Sequence, residues 1–435
     1  MKKKSLFFIG ILFTFFSCTI PEDTNVHANN TKKIPSEISK NNVTPAVVAS
    51  FSDSPESEIV PLNEIIIEYE LGVSEIEKQT LRTNYGVVNY RACDCTNGNN
   101  KYELWTMQAG INIEPTVKVI KRRDREKVSR ATQNKEYEMK MHAVAITLEG
   151  ETDEAEEVYI ESSFNDDYLN RLVNSNDGIT IAVLDTGIDT DQAGFAPNFL
   201  YNSTINSNCG EESGWDFVNN SSNTYDDDIK KHGTVVSYVI HKELAGIDVN
   251  HQILPVKIAD FDGTSTFFNT LCGLQYAIQK DADVINMSFG WETTNTDIYM
   301  MFSDLIDTTD GIIVTSAGNK DQDNDTKPHY PSNFTQNHVI AVAAANTSLS
   351  DVTSYSNYGR NSVDFYAIGN NIMFPLRTSN TFVKFKGTSF AAPFVSAKVA
   401  ELLANNLRDV RPQLRQQFGS RVNYSKAVFY MELIE

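Results

Sequence analysis

Residues 179–185 read ITIAVLD, an unbroken apolar run that ends in a carboxylate. Similar short apolar runs recur further along the chain, and stretches with a helical pattern separate them. Continuous rather than alternating apolar strands are typical of a parallel sheet that helices cover on both faces. The sequence therefore predicts an α/β fold with a doubly wound, mostly parallel sheet. The further runs are HQILPVKIA (251–259), ADVINMSFG (282–290), GIIVTSAGN (311–319) and HVIAVAAA (338–345).

Polar residues follow these runs where parallel sheets carry their reactive groups, at the carboxyl ends of the strands. Asp185 ends the first run, and Asn319 ends the run at 311–319. His232 opens an apolar helix, and Ser389 lies in KFKGTSFAAPFVSAK, residues 384–398. Each residue alone has an ordinary explanation, such as capping a helix or closing a turn. Together they provide a carboxylate, a base, an amide donor and a nucleophile on four separate loops.

These four residue types suit acyl transfer. A serine hydroxyl becomes a good nucleophile at neutral pH when a histidine takes its proton. A buried carboxylate on the other ring nitrogen holds the imidazole in the required tautomer and stabilises its charged form. An amide donor stabilises the oxyanion that develops in the transition state. The pattern therefore predicts nucleophilic catalysis by Ser389.

The strings AVLDTGID, HGTVV, NMSFG, SAGN and GTSFAAP resemble the subtilisin-like serine peptidases, in that family's order of Asp, His, Asn and Ser. The resemblance covers roughly residues 165–435 and implies a subtilisin-like peptidase domain. It makes Asp185 the orienting carboxylate, His232 the general base and Ser389 the nucleophile. Asn319 becomes the side-chain oxyanion donor, beside the Ser389 backbone N–H. These roles are known for subtilisins themselves, and they imply no cofactor for catalysis.

The same resemblance implies a groove for a protein or peptide substrate. Gly263 falls where the family pairs an extended strand with the substrate backbone, a contact that reads main chain rather than side chains. NMSFG corresponds to the segment that lines the first specificity pocket, and SAGN leads into the oxyanion donor. The substrate-binding residues implied in these two segments are Ser288, Phe289, Gly290, Ser316, Ala317 and Gly318.

A different pattern occupies residues 62–142. Its order of strand, helix, strand, strand, helix and strand is the split pattern of a ferredoxin-like domain. Because many subtilisin-like peptidases carry such a domain as propeptide, the resemblance implies a folding chaperone and intramolecular inhibitor. The alternative is a permanent N-terminal domain. Residues 143–164, which contain the acidic LEGETDEAEE, are predicted to be a linker, with self-cleavage between roughly residues 138 and 165.

The N-terminus predicts export. Lys2, Lys3 and Lys4 precede SLFFIGILFTFF, which suits a secretory signal and is short for a membrane span. The following FFSC resembles a bacterial lipoprotein cleavage box, so residues 1–18 are predicted to be a signal in which Cys18 becomes lipidated and anchors the protein to the envelope. Ordinary export with cleavage nearby is the alternative. Residues 19–61, rich in Asn, Ser, Thr, Pro and Glu, predict a flexible tether.

The formal net charge of −20 argues against nucleic acid and anionic lipid surfaces as partners, because both attract clustered Lys and Arg. Asp226, Asp227 and Asp228 precede His232 and suggest either a calcium loop or a solvated acidic turn. An inactive relative that binds peptides without cutting them is the alternative function. Retention of all four catalytic groups favours the enzyme.

No function is predicted for the cysteines beyond Cys18. Four cysteines are too few and too scattered for a disulfide-dense scaffold, although export permits a bridge. Two of them lie only two residues apart in RACDCTNG, too close to bond each other without strain in a regular strand. The four are Cys93, Cys95, Cys209 and Cys272.

Overall fold

The computed structural model describes residues 60–96, 101–139, 142–146, 171–376 and 382–417, except 193–194, 196–197 and 208. The predicted signal with Cys18, nearly all of the tether and most of the linker lie outside these residues. The chain divides into Met1–Ala46 and Val47–Glu435, and only the second unit contains described residues. Among the helices that the structure describes, none has the length and apolar character needed to cross a membrane.

The N-terminal α+β unit consists of four antiparallel strands and two helices. The strand order is β2-β3-β1-β4, as in a split βαβ arrangement. Ser74 and Glu77 cap the first helix reciprocally, and Gly86 ends it in the left-handed conformation. The elements are β1 (Val60–Tyr69), α1 (Glu75–Tyr85), β2 (Val87–Ala92), β3 (Tyr102–Met107), α2 (Ile113–Arg123) and β4 (Val128–Glu138).

A seven-stranded sheet lies at the centre of the C-terminal part. All neighbouring strands in it are parallel, which confirms the predicted α/β fold. Its strands are β6 (Ile179–Asp185), β7 (Trp215–Asp216), β8 (His251–Lys257), β10 (Val284–Met287), β11 (Ile312–Ser316), β12 (Val339–Ala345) and β13 (Phe365–Ile368). Their order across the sheet is β13-β12-β11-β10-β6-β8-β7.

Helices cover both faces of this sheet. On one face, α3 (His232–Ala245) and α6 (Thr388–Ala404) share an apolar core with strand residues. On the other face, α4 (Phe267–Gln279) and α5 (Thr296–Ile306) pack in a second core. The last described helix is α7 (Arg411–Gln417). Because α3 and α6 both begin at the edge where β6 ends, their first turns deliver side chains to one place.

The α+β unit packs its sheet between two cores. Successive residues of β1 point to opposite faces, so Ile65 and Ile67 pack with α1 and α2. Ile66 points the other way and joins the core formed by α4 and α5. Arg130 of β4 forms an ion pair with Asp304 of α5 at 2.7 Å. One face of the small sheet is therefore buried against the C-terminal part.

Two backbone ladders connect the end of the α+β unit to the C-terminal part. β4 pairs antiparallel with β9 (Thr264–Thr266). The next strand along the chain is β5 (His142–Ile146), which pairs antiparallel with β15 (Phe382–Lys386). On its other side β15 pairs antiparallel with β14 (Ile372–Pro375). The linker predicted from residue 143 therefore begins with a strand, because β15 satisfies its backbone hydrogen bonds.

Two disulfide bonds join the same two parts of the chain. Cys93, directly after β2, bonds Cys272 of α4, with Cα atoms 5.1 Å apart. Cys95 bonds Cys209, which precedes β7, with Cα atoms 5.4 Å apart. The neighbours Cys93 and Cys95 do not bond each other, as expected, but the prediction that the four cysteines have no function is wrong. Each bridge is closed by a partner more than a hundred residues away.

Candidate active site

A buried hydrogen bond joins Asp185 to His232. Asp185 is the last residue of β6, and His232 is the first residue of α3. The His232 Nδ1 atom lies 2.7 Å from Asp185 Oδ1, and both side chains are excluded from solvent. Thr186 N also donates to Asp185 Oδ1 at 2.8 Å. With Nδ1 donating its proton to this carboxylate, the tautomer leaves Nε2 as an acceptor.

The backbone around His232 is held tightly in place. Lys231, which precedes it, has a left-handed φ of 56°. The His232 backbone N–H donates to Asp228 Oδ2 at 2.9 Å, and the next N–H, from Gly233, donates to Thr186 Oγ1 at 2.9 Å. A Cβ at Gly233 would collide with the Gly187 carbonyl oxygen. Glycine therefore allows α3 to begin directly against the end of β6.

The electrostatic surroundings of His232 favour its charged form. Burial by itself lowers the pKa of the imidazole, because it penalises the charge. The nearby Asp185 charge and its hydrogen bond, together with Asp228 and Asp226, outweigh that effect and raise the pKa above its ordinary value. Burial and the nearby Asp226 charge raise the pKa of Asp228 to about 6. For this carboxyl the surroundings therefore disfavour the charged form.

Ser389 occupies the second position of α6 and is almost fully buried. The His232 ring packs against the neighbouring Phe390, with ring centroids 5.4 Å apart. His232 Nε2 is buried and has no hydrogen-bond partner among the described residues, and neither does Asp185 Oδ2. The described contacts therefore contain no hydrogen bond between His232 and Ser389. Unliganded catalytic sites often hold this contact longer than it becomes during reaction.

Asn319 is fixed in orientation by the residue that precedes Ser389. Its Oδ1 accepts hydrogen bonds from Thr388 N at 2.8 Å and from Thr388 Oγ1 at 3.0 Å. Thr388 Oγ1 in turn accepts from Gly318 N at 3.1 Å. Because Oδ1 is occupied, the amide nitrogen Nδ2 is left to donate, and it lies 3.5 Å from a Cβ position at Gly387. Thr388 is a positioning residue that the sequence motif contains but whose role the prediction misses.

The residue predicted to pair with a peptide backbone contacts the chain's own α+β unit. Gly263, with φ of 79°, accepts a hydrogen bond from Met139 N at 2.8 Å through its carbonyl oxygen. In the adjoining ladder, Tyr137 lies opposite Ser265. The segment that runs out of β4 is therefore bound as an added antiparallel strand, the mode in which many proteins bind extended peptides.

Phe289 lines an aromatic pocket that Tyr137 fills. The Tyr137 ring stacks with Phe289 at a centroid distance of 5.9 Å and lies 5.4 Å from the Trp291 ring. Phe267 closes the pocket at 5.9 Å, and the Tyr137 hydroxyl is 2.6 Å from Thr270 Oγ1. The sequence motif indicates Phe289, and Trp291 follows directly after that motif. Phe267 and Thr270 come from α4, so the motif gives no signal for them.

The other predicted substrate-binding residues lie near Phe289, and all of them except the half-buried Gly290 are buried. Ser288 Oγ accepts from Asn286 Nδ2 at 2.8 Å, and Ser316 Oγ donates to the Phe289 carbonyl at 3.3 Å. Gly290 lies directly against the His329 ring, with no room for a Cβ. The last two residues of the set, Ala317 and Gly318, lead from β11 into Asn319.

The acidic turn before His232 is solvated only in part. Asp226 and Asp228 are buried, whereas Asp227 is exposed. Asp226 Oδ2 accepts from Thr234 N at 3.0 Å, and Asp227 Oδ1 accepts from the Lys257 ammonium at 2.6 Å. In the described part of the chain these carboxylates do not converge as a metal-binding group. Asp226 and Asp228 accept hydrogen bonds from the first turn of α3, and Asp227 pairs with Lys257 of β8. The calcium loop stays a prediction.

A parallel α/β sheet whose edge joins a carboxylate, an imidazole, an amide and a serine defines a class of serine hydrolases. The subtilase family (Peptidase_S8) matches residues 176–418. This match covers more than half of the chain. The chain therefore belongs to the subtilase family of subtilisin-like serine proteases.

Several known proteins are similar to this chain. Thermitase from Thermoactinomyces vulgaris is 31% identical over 238 residues, which span 53% of this chain and 76% of thermitase. Subtilisin from Bacillus pumilus is 28% identical over 58% of this chain and 86% of its own length. Subtilisin-like protease 2 from Plasmodium falciparum (isolate 3D7) is 29% identical over 51% of this chain, which spans only 17% of that protein.

Among solved structures, a cold adapted subtilisin-like serine proteinase aligns with a TM-score of 0.43 and 24% sequence identity. The alignment covers 57% of this chain and 87% of that chain.

Replacing Asp185 by Asn should lower the pKa of His232, because the opposing charge that offsets burial disappears. Ring-nitrogen NMR titration of a Ser389→Ala protein, with and without Asp185→Asn, measures the change. His241, whose burial lowers its pKa to about 4, serves as the internal control, and its pKa should not change.

The raised pKa of His232 also affects stability. Since the folded-state pKa is raised, the charged form of His232 stabilises the fold below a pH of about 6.5, and this contribution is lost as pH rises through the folded pKa. Titration of His232 below that value would show that burial outweighs Asp185.

Proposed function

We propose that this protein is a serine endopeptidase that hydrolyses peptide bonds through an acyl-enzyme. The observation that carries the proposal is the buried 2.7 Å contact between Asp185 and His232, which leaves Nε2 unpaired at the sheet edge where Ser389 lies in the first turn of α6. Family membership supports the same chemistry. Catalysis by these side chains requires no cofactor.

In this mechanism Ser389 Oγ attacks the scissile carbonyl while His232 Nε2 takes the hydroxyl proton. Asp185 stabilises the imidazolium that results. The oxyanion is stabilised by Asn319 Nδ2 and by the backbone N–H of Ser389, both at the positive end of α6. His232 then gives its proton to the leaving amine. Water repeats the sequence on the acyl-enzyme and releases the second product.

Ser389→Ala should abolish peptide hydrolysis and labelling by a fluorophosphonate probe, because the nucleophile is lost. Asn319→Ala should keep the labelling site but lower kcat by about 10²–10³, the magnitude known for the same donor in subtilisins rather than one obtained from this structure. Circular dichroism on both variants checks that they fold. A folded wild-type protein that neither labels nor hydrolyses peptides would favour the alternative, an inactive peptide-binding relative.

We also propose that the α+β unit is a propeptide that occupies the substrate groove. The support is the pair of ladders on either side of the nucleophile: Met139 N donates to Gly263 O at 2.8 Å, and β5 pairs with β15, which ends three residues before Ser389. A substrate bound on both sides of its scissile bond would make such contacts. In this interpretation, the chain between the two ladders is the first substrate.

The ladders restrict where self-cleavage falls. Met139 belongs to the contact with Gly263, and His142 pairs with Lys386, so three peptide bonds separate the two bound segments. Residues 140 and 141 between them lie outside the described residues. We place the cut at the middle bond, Lys140–Met141, within the predicted interval but ahead of the acidic segment.

N-terminal sequencing of the matured C-terminal fragment should therefore begin at Met141. The Ser389→Ala protein should stay uncut, which separates self-cleavage from contaminating proteases. Tyr137→Ala should slow maturation, because it empties the aromatic pocket, whereas Glu138→Ala, an exposed neighbour, serves as the matched control. A mature N-terminus within residues 148–157 would contradict the proposed placement.

With the cut at Lys140–Met141, Tyr137 is the fourth residue before the scissile bond, the P4 position. The pocket of Phe267, Phe289 and Trp291 surrounds its ring, and Thr270 meets its hydroxyl. Substrates that carry tyrosine at P4 would place the same side chain in the same pocket. We therefore propose that the enzyme prefers a large aromatic residue at P4.

Peptides that differ only at P4 should be cleaved in the order Tyr, Phe, Ala. Burial of an aromatic ring contributes about 1.5–3 kcal/mol, so Ala should reduce kcat/KM by roughly ten- to a hundredfold. The Tyr preference over Phe should disappear in Thr270→Val while the preference for Phe over Ala remains. Equal cleavage of all three peptides by a matured enzyme would rule out this specificity.

Export is proposed from residues 1–18, with lipidation of Cys18 and ordinary secretion as its two forms. The two disulfide bonds support export, because such bonds persist in oxidising compartments and are rare in the cytosol. Fatty-acid labelling that depends on Cys18 distinguishes lipidation from ordinary secretion. Labelling that persists in Cys18→Ala excludes this anchor.

A further inference from the structure

Both disulfide bonds connect the α+β unit to the subtilase part. Cys93 and Cys95 belong to the α+β unit, whereas Cys272 lies within α4 and Cys209 lies in the loop before β7. The Cα separations of 5.1 and 5.4 Å are within the range for disulfides. The bridges therefore add two covalent links to the single link that the polypeptide provides.

The positions of the bridges along the chain decide what a cut can release. Any break between residues 96 and 208 separates Cys93 and Cys95 from both of their partners in sequence. The proposed cut at Lys140–Met141 falls in this interval. Cleavage there produces two chains that two disulfide bonds still hold together.

Non-covalent contacts at the same place show that the attachment is a packed interface. Arg91, close before Cys93, donates to the Phe217 carbonyl at 2.8 Å and to Asn269 Oδ1 at 2.6 Å. Its guanidinium also lies over the Phe268 ring, 5.2 Å from the centroid. An inhibitor held against its own site by such a tether acts at an effective concentration on the order of millimolar or above.

We propose that the α+β unit stays attached as a disulfide-linked inhibitor after self-cleavage, and that reduction of both bridges by a dithiol releases it and switches the enzyme on. The inference rests on the proposed peptidase function. Cleavage alone leaves the Tyr137 segment free to return to the groove. Reduction converts this intramolecular inhibitor into one that diffuses away.

The chemistry is thiol–disulfide exchange with an external dithiol. A thiolate of the reductant attacks one sulfur of a bridge, the second reductant thiol closes on the mixed disulfide, and the two protein cysteines leave as thiols while the reductant becomes a disulfide. Cys209 is exposed, whereas Cys93 and Cys272 are both buried. The Cys95–Cys209 bridge is therefore reduced first, and the Cys93–Cys272 bridge is the slower, limiting step.

The tether can be tested without the peptidase activity. In the Ser389→Ala full chain, a recognition sequence for a foreign protease is inserted after residue 150, and the protein is cut there. Denaturing electrophoresis should show one species without reductant and two species with dithiothreitol. Two species without reductant would overturn the covalent tether, and this result is independent of whether Ser389 is a nucleophile.

The inhibitory role is tested with the matured wild-type enzyme. Dithiothreitol should raise hydrolysis of a small peptide substrate on the order of a hundredfold, in step with the appearance of the free α+β fragment. A variant with Cys93→Ser, Cys95→Ser, Cys209→Ser and Cys272→Ser should be active after cleavage and insensitive to reductant. The single-bridge variant Cys95→Ser with Cys209→Ser controls for folding and should still need reductant. Equal activity of matured wild type with and without reductant would overturn the switch.

Discussion

The buried contact between Asp185 Oδ1 and His232 Nδ1 sets the geometry of the whole peptidase part. It joins the last residue of a central strand to the first residue of the helix on that sheet, so packing and chemistry share one constraint. The helix can begin so close to the strand because Gly233 has no Cβ. Asp228, which accepts the His232 backbone N–H, holds the same turn from the other side. A shift at this point would displace both the sheet edge and His232, the proposed general base.

The groove beside this contact holds a segment of the same chain through backbone hydrogen bonds and through one side chain, Tyr137. β9 pairs with β4, β15 pairs with β5, and the aromatic pocket receives Tyr137. Because backbone pairing is indifferent to most side chains, the aromatic pocket would discriminate among peptides by their side chains in the proposed binding mode. In the proposed function, the contacts of the α+β unit indicate how a substrate would bind. The same contacts make this unit a candidate inhibitor.

The sequence could predict the features that depend on short contiguous stretches of residues. Apolar runs mark the strands of the parallel sheet, and Asp185, His232 and Ser389 lie in short contiguous motifs. The cysteine pairs could not be predicted, since their members lie 179 and 114 residues apart and pair only when β2 packs near α4. The strand β5 and the burial of Asp226 were equally hidden, because their hydrogen-bond partners come from β15 and from the first turn of α3. Local pattern therefore predicts the candidate catalytic residues, whereas contacts between distant segments cannot be predicted from it.

Because of these contacts between distant segments, cleavage of the chain would not by itself release the proposed inhibitor. Cutting a peptide bond in the groove removes no hydrogen bond of the β4–β9 ladder and none of the contacts of Arg91. The free energy that favours the bound strand therefore stays nearly unchanged, and what decides release is how far the fragment can diffuse. The two bridges act in parallel, because either one alone keeps the effective concentration high. In the proposed switch, the state of the cysteines, rather than the integrity of the backbone, controls access to Ser389.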